Sequence, residues 1–208
     1  MYMSGHPLDN YNFEMKHYNI TPLADYNEFK AAVNTHPNPG KAFRLAGLVI
    51  DAQHRLTKAG KNFGVLVIED YSGKSEFMLW SEDYVKYTNY LEKGMIVMVE
   101  GAFRQRYNGD QYDFRLAKLH LLETVKSSLT KQLIIDVQPQ FLVTGFVDFI
   151  DNNVKANPGK SSLKFNLIDA RNNLKVGMYT IENGFTMNDD LAVFLNENKD
   201  VEVNVITG

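Results

Sequence analysis

The chain has 208 residues, 44% hydrophobic and 23% charged, with a formal charge of −3 and no cysteine. This is the composition of a folded globular chain of one large or two small domains, and it excludes disulfides and thiolate metal sites. The longest apolar runs, such as residues 95–99, fall far short of the roughly 20 residues needed to cross a bilayer. Residues 1–10 hold Gly5, His6, Pro7 and Asp9 in place of an apolar leader, so a cytoplasmic location is expected.

Charge is unevenly spread: −2 over residues 1–40, +2 over 41–126 and −3 over 127–208. Residues 1–40 lack sustained periodicity and end in the breaker cluster Thr35-His36-Pro37-Asn38-Pro39-Gly40, which reads as the end of a linking segment. Within that segment residues 26–33 fit a short helix, with Asp25 as N-cap and Glu28 completing a capping box.

From Phe43 the pattern changes to alternation, and strands are expected over residues 43–57, 62–70, 74–80, 95–107 and 111–122. The tracts Lys58-Ala59-Gly60-Lys61, Tyr71-Ser72-Gly73 and Tyr107-Asn108-Gly109-Asp110 make three of the four connections hairpins. The fourth connection, residues 81–94, reads as a helix with Ser81 as cap, Glu82 and Asp83 at the positive end of the dipole, and Gly94 beyond the last turn. Three strands, a helix and two strands is the order of an OB-fold, a five-stranded barrel. Residues 41–126 are therefore expected to form one.

Beyond Ser127-Ser128, strands at 133–137, 163–168, 174–179 and 201–206 alternate with helices at 139–150 and 189–196. This β-α-β-β-α-β order predicts a small ferredoxin-like α+β sandwich over residues 127–208. The fold class expected for the whole chain is mostly β, an OB barrel followed by α+β.

Polymerase-type metal chemistry needs clustered carboxylates, and no Asp-x-Asp occurs. Asp148 with Asp151 and Asp189-Asp190 read as solvated helix charges. The histidines His6, His17, His36, His54 and His120 are scattered without ligand spacing, and Asn157-Pro158-Gly159-Lys160-Ser161 reads as a turn and not as a phosphate loop. No catalytic residue, metal or cofactor is expected.

An OB-fold binds single strands on the face of its second and third strands, between the loops joining strands one to two and four to five. Alternation turns Leu66, Ile68, Phe77 and Leu79 inward and Phe63, Val65, Val67, Glu76 and Met78 outward. The candidate site is Phe63, Val65 and Met78 on the face, with Arg55, Lys58 and Lys61 from the first loop and Arg104, Arg106, Tyr107 and Asn108 from the last. Glu76 opposes phosphate there. Trp80 is expected to pack under the helix, and Tyr84 and Tyr87 to pack on the barrel.

The tract Met1-Tyr2-Met3-Ser4-Gly5-His6-Pro7-Leu8-Asp9-Asn10-Tyr11 resembles the aromatic-aliphatic-Ser-Gly-His-Pro-Leu-Asp-x-Tyr segment of bacterial DNA polymerase III alpha subunits. Ala46-Gly47-Leu48-Val49, Thr57-Lys58 with Gly60-Lys61, and Ile68-Glu69-Asp70 with Ser72-Gly73 are similar to that family's OB-fold. Asn157-Pro158-Gly159-Lys160 with Leu163-Lys164-Phe165 is similar to its C-terminal domain. The resemblance implies a non-catalytic C-terminal part of a DNA-directed DNA polymerase, a nucleotidyltransferase whose active site and clamp-binding segment lie outside this chain. It further implies that the OB module meets single-stranded template DNA and that the last domain contacts the clamp loader or another replisome subunit. Two other readings stay open: a tRNA anticodon-binding OB domain, and a protein-interaction module that binds no nucleic acid.

Overall fold

A computed structural model describes residues 5–107, 109–169, 171–172, 174–179 and 184–208. The chain divides into two units, one made of residues up to Met15 with Asn19–Glu123 and the other of Lys16–Tyr18 with Thr124–Gly208.

In the first unit the alternating tracts become β1 (Ala42–Leu56), β2 (Asn62–Glu69), β3 (Lys74–Trp80), β4 (Ile96–Gln105) and β5 (Tyr112–Leu121). The long β1 serves two neighbours: its first half pairs with β4 and its second half with β2, and the register shifts between Val49 and Asp51. Glycine permits two close approaches. A Cβ at Gly101, beside a register shift on β4, would lie 2.4 Å from the Phe114 ring, and one at Gly64 would lie 2.5 Å from Leu91 Cδ1.

All pairings in this sheet are antiparallel, and its order is β3-β2-β1-β4-β5, so β3 and β5 are its edges. Among the described residues no hydrogen-bonded pairing joins β3 to β5, so the strands of the expected five-stranded barrel form one sheet with two edges. Near those edges stands Tyr26, from the helix α2 (Leu23–Ala32), which follows α1 (Asn12–His17). Tyr26 is fully buried, and its ring centroid lies 5.3–5.8 Å from those of Phe43, Phe77, Phe103 and Phe114. These rings belong to β1, β3, β4 and β5, so one side chain before Gly40 is common to four strands. Leu23 and Val33 join the same core.

Asp25 does not cap α2, which starts at Leu23 after Pro22. The cap arrives from the β2–β3 turn: Asp70 Oδ2 accepts from Leu23 N at 2.8 Å, and Ser72 Oγ accepts from Ala24 N at 3.0 Å. Asp70 Oδ1 also accepts from Ser72 N at 2.7 Å and Gly73 N at 2.9 Å, which closes its own turn. On the same turn, Tyr71 donates to Asp9 and its ring meets His6 at 4.4 Å, which docks the Gly5-His6-Pro7-Leu8-Asp9 tract.

The expected helix after β3 is α3 (Ser81–Tyr87), followed by a 3-10 turn at Thr88–Tyr90. Ser81 is not its cap, because it lies inside the helix with a positive φ of 45°. Tyr87 is buried and Tyr84 packs against the core, as expected, and Tyr90 joins them.

The second unit contains α4 (Leu122–Leu129), which begins at the end of the first, then β6 (Thr130–Val137), α5 (Thr144–Ala156) and β7 (Pro158–Gly159). It continues with β8 (Ser162–Asp169), β9 (Leu174–Tyr179), β10 (Gly184–Phe185), α6 (Asp189–Glu197) and β11 (Val201–Thr207). The main strands and helices follow the expected order, but the ferredoxin-like arrangement is corrected. The sheet order is β11-β6-β8-β9, with β8 directly parallel to β6, whereas a ferredoxin-like sheet splits that pair with another strand. The domain is mixed α/β. Its core is Leu133, Ile135 and Val137 of β6 with Phe146, Ile150, Leu191 and Leu195 from the helices. Asn188 caps α6 by accepting from Leu191 N, and buried Lys126 reaches Asp189 at 2.8 Å.

Two outcomes are expected. Asp70→Ala removes the cap of α2 together with the turn bonds, and should lower unfolding stability by about 2–3 kcal/mol in urea titrations. The second concerns His17, whose pKa burial and the neighbouring Lys16 lower from 6.5 to about 4. The unfolded chain then takes the proton more readily than the folded one, so the neutral imidazole's contribution is complete above pH 6.5 and is lost as pH falls toward 4. His17→Gln should flatten the fall of the melting temperature across that window.

Candidate nucleic-acid interface

On the outer face of the first unit, strand register aligns three rows of side chains. Arg55 of β1 stands opposite Phe63 of β2 and Trp80 of β3; Gln53 opposite Val65 and Met78; and Asp51 opposite Val67 and Glu76. Residues paired across antiparallel strands share a face, so one end of this surface is cationic and aromatic and the other acidic.

In the first row the Phe63 and Trp80 rings stack at 4.6 Å and 19°. Trp80 is 42% exposed, so it does not pack under the helix as expected. It continues the outward parity of Glu76 and Met78, and Phe63 takes the place of the helix as its neighbour. In the second row Val65 is 1% exposed, which corrects its assignment as a contact residue. It lies on a central strand with Gln53 and Met78 as its two ladder neighbours. Met78 is exposed, as expected.

Along β1 the polar groups form a ladder. Gln53 Oε1 accepts from Arg55 Nε at 2.8 Å, Gln53 Nε2 donates to Asp51 at 2.7 Å, and Lys93 pairs with Asp51 at 3.1 Å. The Gln53 bond holds Asp51 below the usual carboxylate range, and Lys93 reinforces it.

The β1–β2 turn carries Lys58 and Lys61, both exposed and without an ion pair among the described residues. They border the Arg55–Phe63 end of the face. The β4–β5 hairpin contributes less than expected. Arg106 is held by Asp113, its Nη2 donating to Oδ1 at 2.7 Å and its Nε donating to Oδ2. These bonds keep Asp113 below the usual carboxylate range and raise Arg106 further. Arg104 stands in register with the same Asp113, and nothing brings it to the β2–β3 face. Tyr107 is fully exposed and Asn108 lies outside the described residues.

Between the sheet edges β3 and β5 is a cleft of about 320 Å³ that the sequence reading missed. Its lining includes Tyr26, Lys30, Glu76, Met78, Trp80 and Arg115. Single-strand periodicity cannot reveal which two strands remain unpaired. Among the described residues no group of three or more His, Asp or Glu could hold a metal ion, and no helix is long and apolar enough to cross a membrane.

The fold and this face define an OB-fold module followed by a mixed α/β domain. Residues 43–122 match the family described as OB-fold nucleic acid binding domain, and residues 133–206 match the DNA polymerase III alpha subunit, C-terminal domain. The chain corresponds to the C-terminal OB-fold and C-terminal domain region of bacterial DNA polymerase III alpha subunits. It is similar to the alpha subunit of Vibrio cholerae, with 38% identity over 49% of this chain and 8% of the relative. The Pasteurella multocida subunit is 27% identical over 71% of the chain and 12% of the relative, and the Pseudomonas fluorescens subunit 22% identical over 85% and 14%. The chain therefore spans roughly a tenth of the length of these relatives. Among solved structures it is similar to the mitochondrial single-stranded DNA binding protein Rim1 of S. cerevisiae, at TM-score 0.31 and 15% identity over 40% of this chain and 96% of that one. The small single-stranded DNA-binding protein of Streptomyces coelicolor gives TM-score 0.27 and 15% identity over 39% and 92%.

Proposed function

We propose that the OB module binds single-stranded DNA across its β2–β3 face, as a non-catalytic part of a replicative DNA polymerase whose active site lies elsewhere. The observation that carries this reading is the stacked, half-open Phe63–Trp80 pair in line with Arg55 and next to Lys58 and Lys61. Aromatic rings take bases without regard to sequence, and the cations follow the backbone. The +2 balance of residues 41–126 supports placing DNA here, and the −3 balance of residues 127–208 supports a protein contact for the second domain, with the clamp loader or another replisome subunit as its partner.

Charge and stacking respond differently to salt. With Arg55, Lys58 and Lys61 each on a phosphate, log affinity should fall with a slope of about −2.1 against log salt, so fourfold more salt weakens binding about 20-fold. Lys61→Ala should flatten the slope by about 0.7. Trp80→Ala should cost about 1–3 kcal/mol and leave the slope unchanged. Asp113→Asn, which releases Arg106, should strengthen binding and steepen the slope by about 0.7. Fluorescence anisotropy with single-stranded DNA, duplex DNA and tRNA measures all of these. Equal affinity for the three ligands, or none for single-stranded DNA, would rule the proposal out.

A further inference from the structure

The cleft between β3 and β5 holds polar groups that the surrounding protein does not use. Tyr26 is completely buried on its lining, yet its hydroxyl has no hydrogen-bond partner among the described residues. Such an orphan costs about 1–3 kcal/mol of folding stability, and phenylalanine would fill the same aromatic nest without it. Glu76, an exposed carboxylate on the same lining, has no hydrogen bond or ion pair among the described residues, and neither does Arg115 opposite it on β5. Lys30 lies over the Tyr26 ring at 5.9 Å, and its ammonium has no ion pair among the described residues. By contrast, Arg106 and Asp113 neutralise one another at the rim. The unused set is therefore one acceptor pair, two cationic donors and one hydroxyl, beside the exposed Met78 and Trp80 side chains.

We propose that this cleft receives a single guanine base from the strand bound on the β2–β3 face, an inference that rests on the single-stranded DNA reading above. Its volume of about 320 Å³ lies at the lower end of small-ligand pockets, which suits one base and not a longer segment. Guanine is the base whose Watson–Crick edge offers two adjacent donors, N1–H and the N2 amino group, which a carboxylate accepts side by side. Adenine and cytosine each place a ring acceptor beside their amino group, and thymine flanks its single N–H with two carbonyls; each would set a lone pair against Glu76. Guanine's O6 and N7 are acceptors in turn, matched by the Tyr26 hydroxyl and the Lys30 and Arg115 cations. A carboxylate on a DNA-binding face opposes phosphate, and reading a donor edge gives it a use. Trp80 then serves both regions, stacked on Phe63 and bordering the cleft.

The test uses the whole chain and labelled oligothymidylates of about 16 nucleotides, enough to span one OB-fold. In three of the probes a central thymidine is replaced by deoxyguanosine, deoxyadenosine or deoxycytidine. The guanine probe should bind at least about fivefold tighter than the other three. Glu76→Gln should abolish that preference while binding plain oligothymidylate at least as tightly as the wild type, because phosphate repulsion is relieved. A merely structural role for Glu76 would not give opposite signs. Tyr26→Phe should remain folded, with a raised melting temperature, and lose part of the preference. Trp80, the sole tryptophan, should be quenched more strongly by the guanine probe at saturation. Free deoxyguanosine monophosphate should compete far more weakly than the strand; competition at equal concentration would make the cleft a mononucleotide site and overturn the proposal. Equal affinity for all four probes, or a guanine preference surviving in Glu76→Gln, overturns it while leaving single-strand binding intact. Failure of all four to bind removes both readings.

Discussion

The first unit depends on one carboxylate. Asp70 bonds to the backbone of its own turn and to the first amide of α2, so the β2–β3 hairpin and the N-terminal helix are fixed by the same group. This fixes the position of Tyr26 three residues along the helix, in the middle of the aromatic core. Where strand pairing stops at β3 and β5, the sheet is held across its open side by rings meeting one ring. A helix without a side-chain cap of its own, and with apolar residues too few for an independent stripe, would be marginal in isolation. The hairpin supplies what the helix lacks.

That dependence explains which parts of the fold were legible in the sequence. The strands of the OB module were readable almost to the residue because period-two alternation and the Gly-containing turns are local signals. Asp25 looked like a cap because it precedes an apolar stretch, whereas the acceptor that serves α2 lies more than forty residues away in sequence. The same locality hid α4, whose residues 122–129 lie between the strands expected at 111–122 and 133–137; only Leu122 was read as strand and the rest was assigned to no element. In the second domain the element order was correct and the sheet order was not. A β-α-β-β-α-β string is compatible with β8 beside β6 or separated from it, and only the packing of α5 and α6 on the sheet decides between them.

The site divides along the same line. Parity alone placed Phe63 and Met78 on the outer face and Phe77 and Leu79 inside, because β3 keeps a strict exposed-buried alternation. Val65 defeated parity because it lies on a central strand, where long neighbours can cover even an outward residue. Trp80 had the right parity and was set aside for its closeness to α3; its partner proved to be Phe63, directly across the ladder. Arg106 counted as a free cation only until Asp113, seven residues on, came within hydrogen-bond reach of it across the hairpin.

Together these corrections change the character of the surface. Counting basic residues gave a groove with cations on both sides, but pairing with Asp113 cancels Arg106 and leaves Arg55, Lys58 and Lys61 as the unpaired or weakly held cations beside the Phe63 row. The face then has a polarity, from cationic at the Phe63 row to acidic at the Asp51–Glu76 row. A polyanion laid on such a surface gains at one end and is repelled at the other, over four strand residues or roughly 13 Å, a distance comparable with a Debye length of about 10 Å. In the proposed binding mode the strand's backbone would be drawn to the β1–β2 turn, while a group presented to the Glu76 carboxylate would have to be a hydrogen-bond donor. Bases carry donors on their edges and phosphates carry none, so under the proposed mode the charge gradient itself would turn bases toward the β3–β5 cleft and keep the backbone on the lysine side.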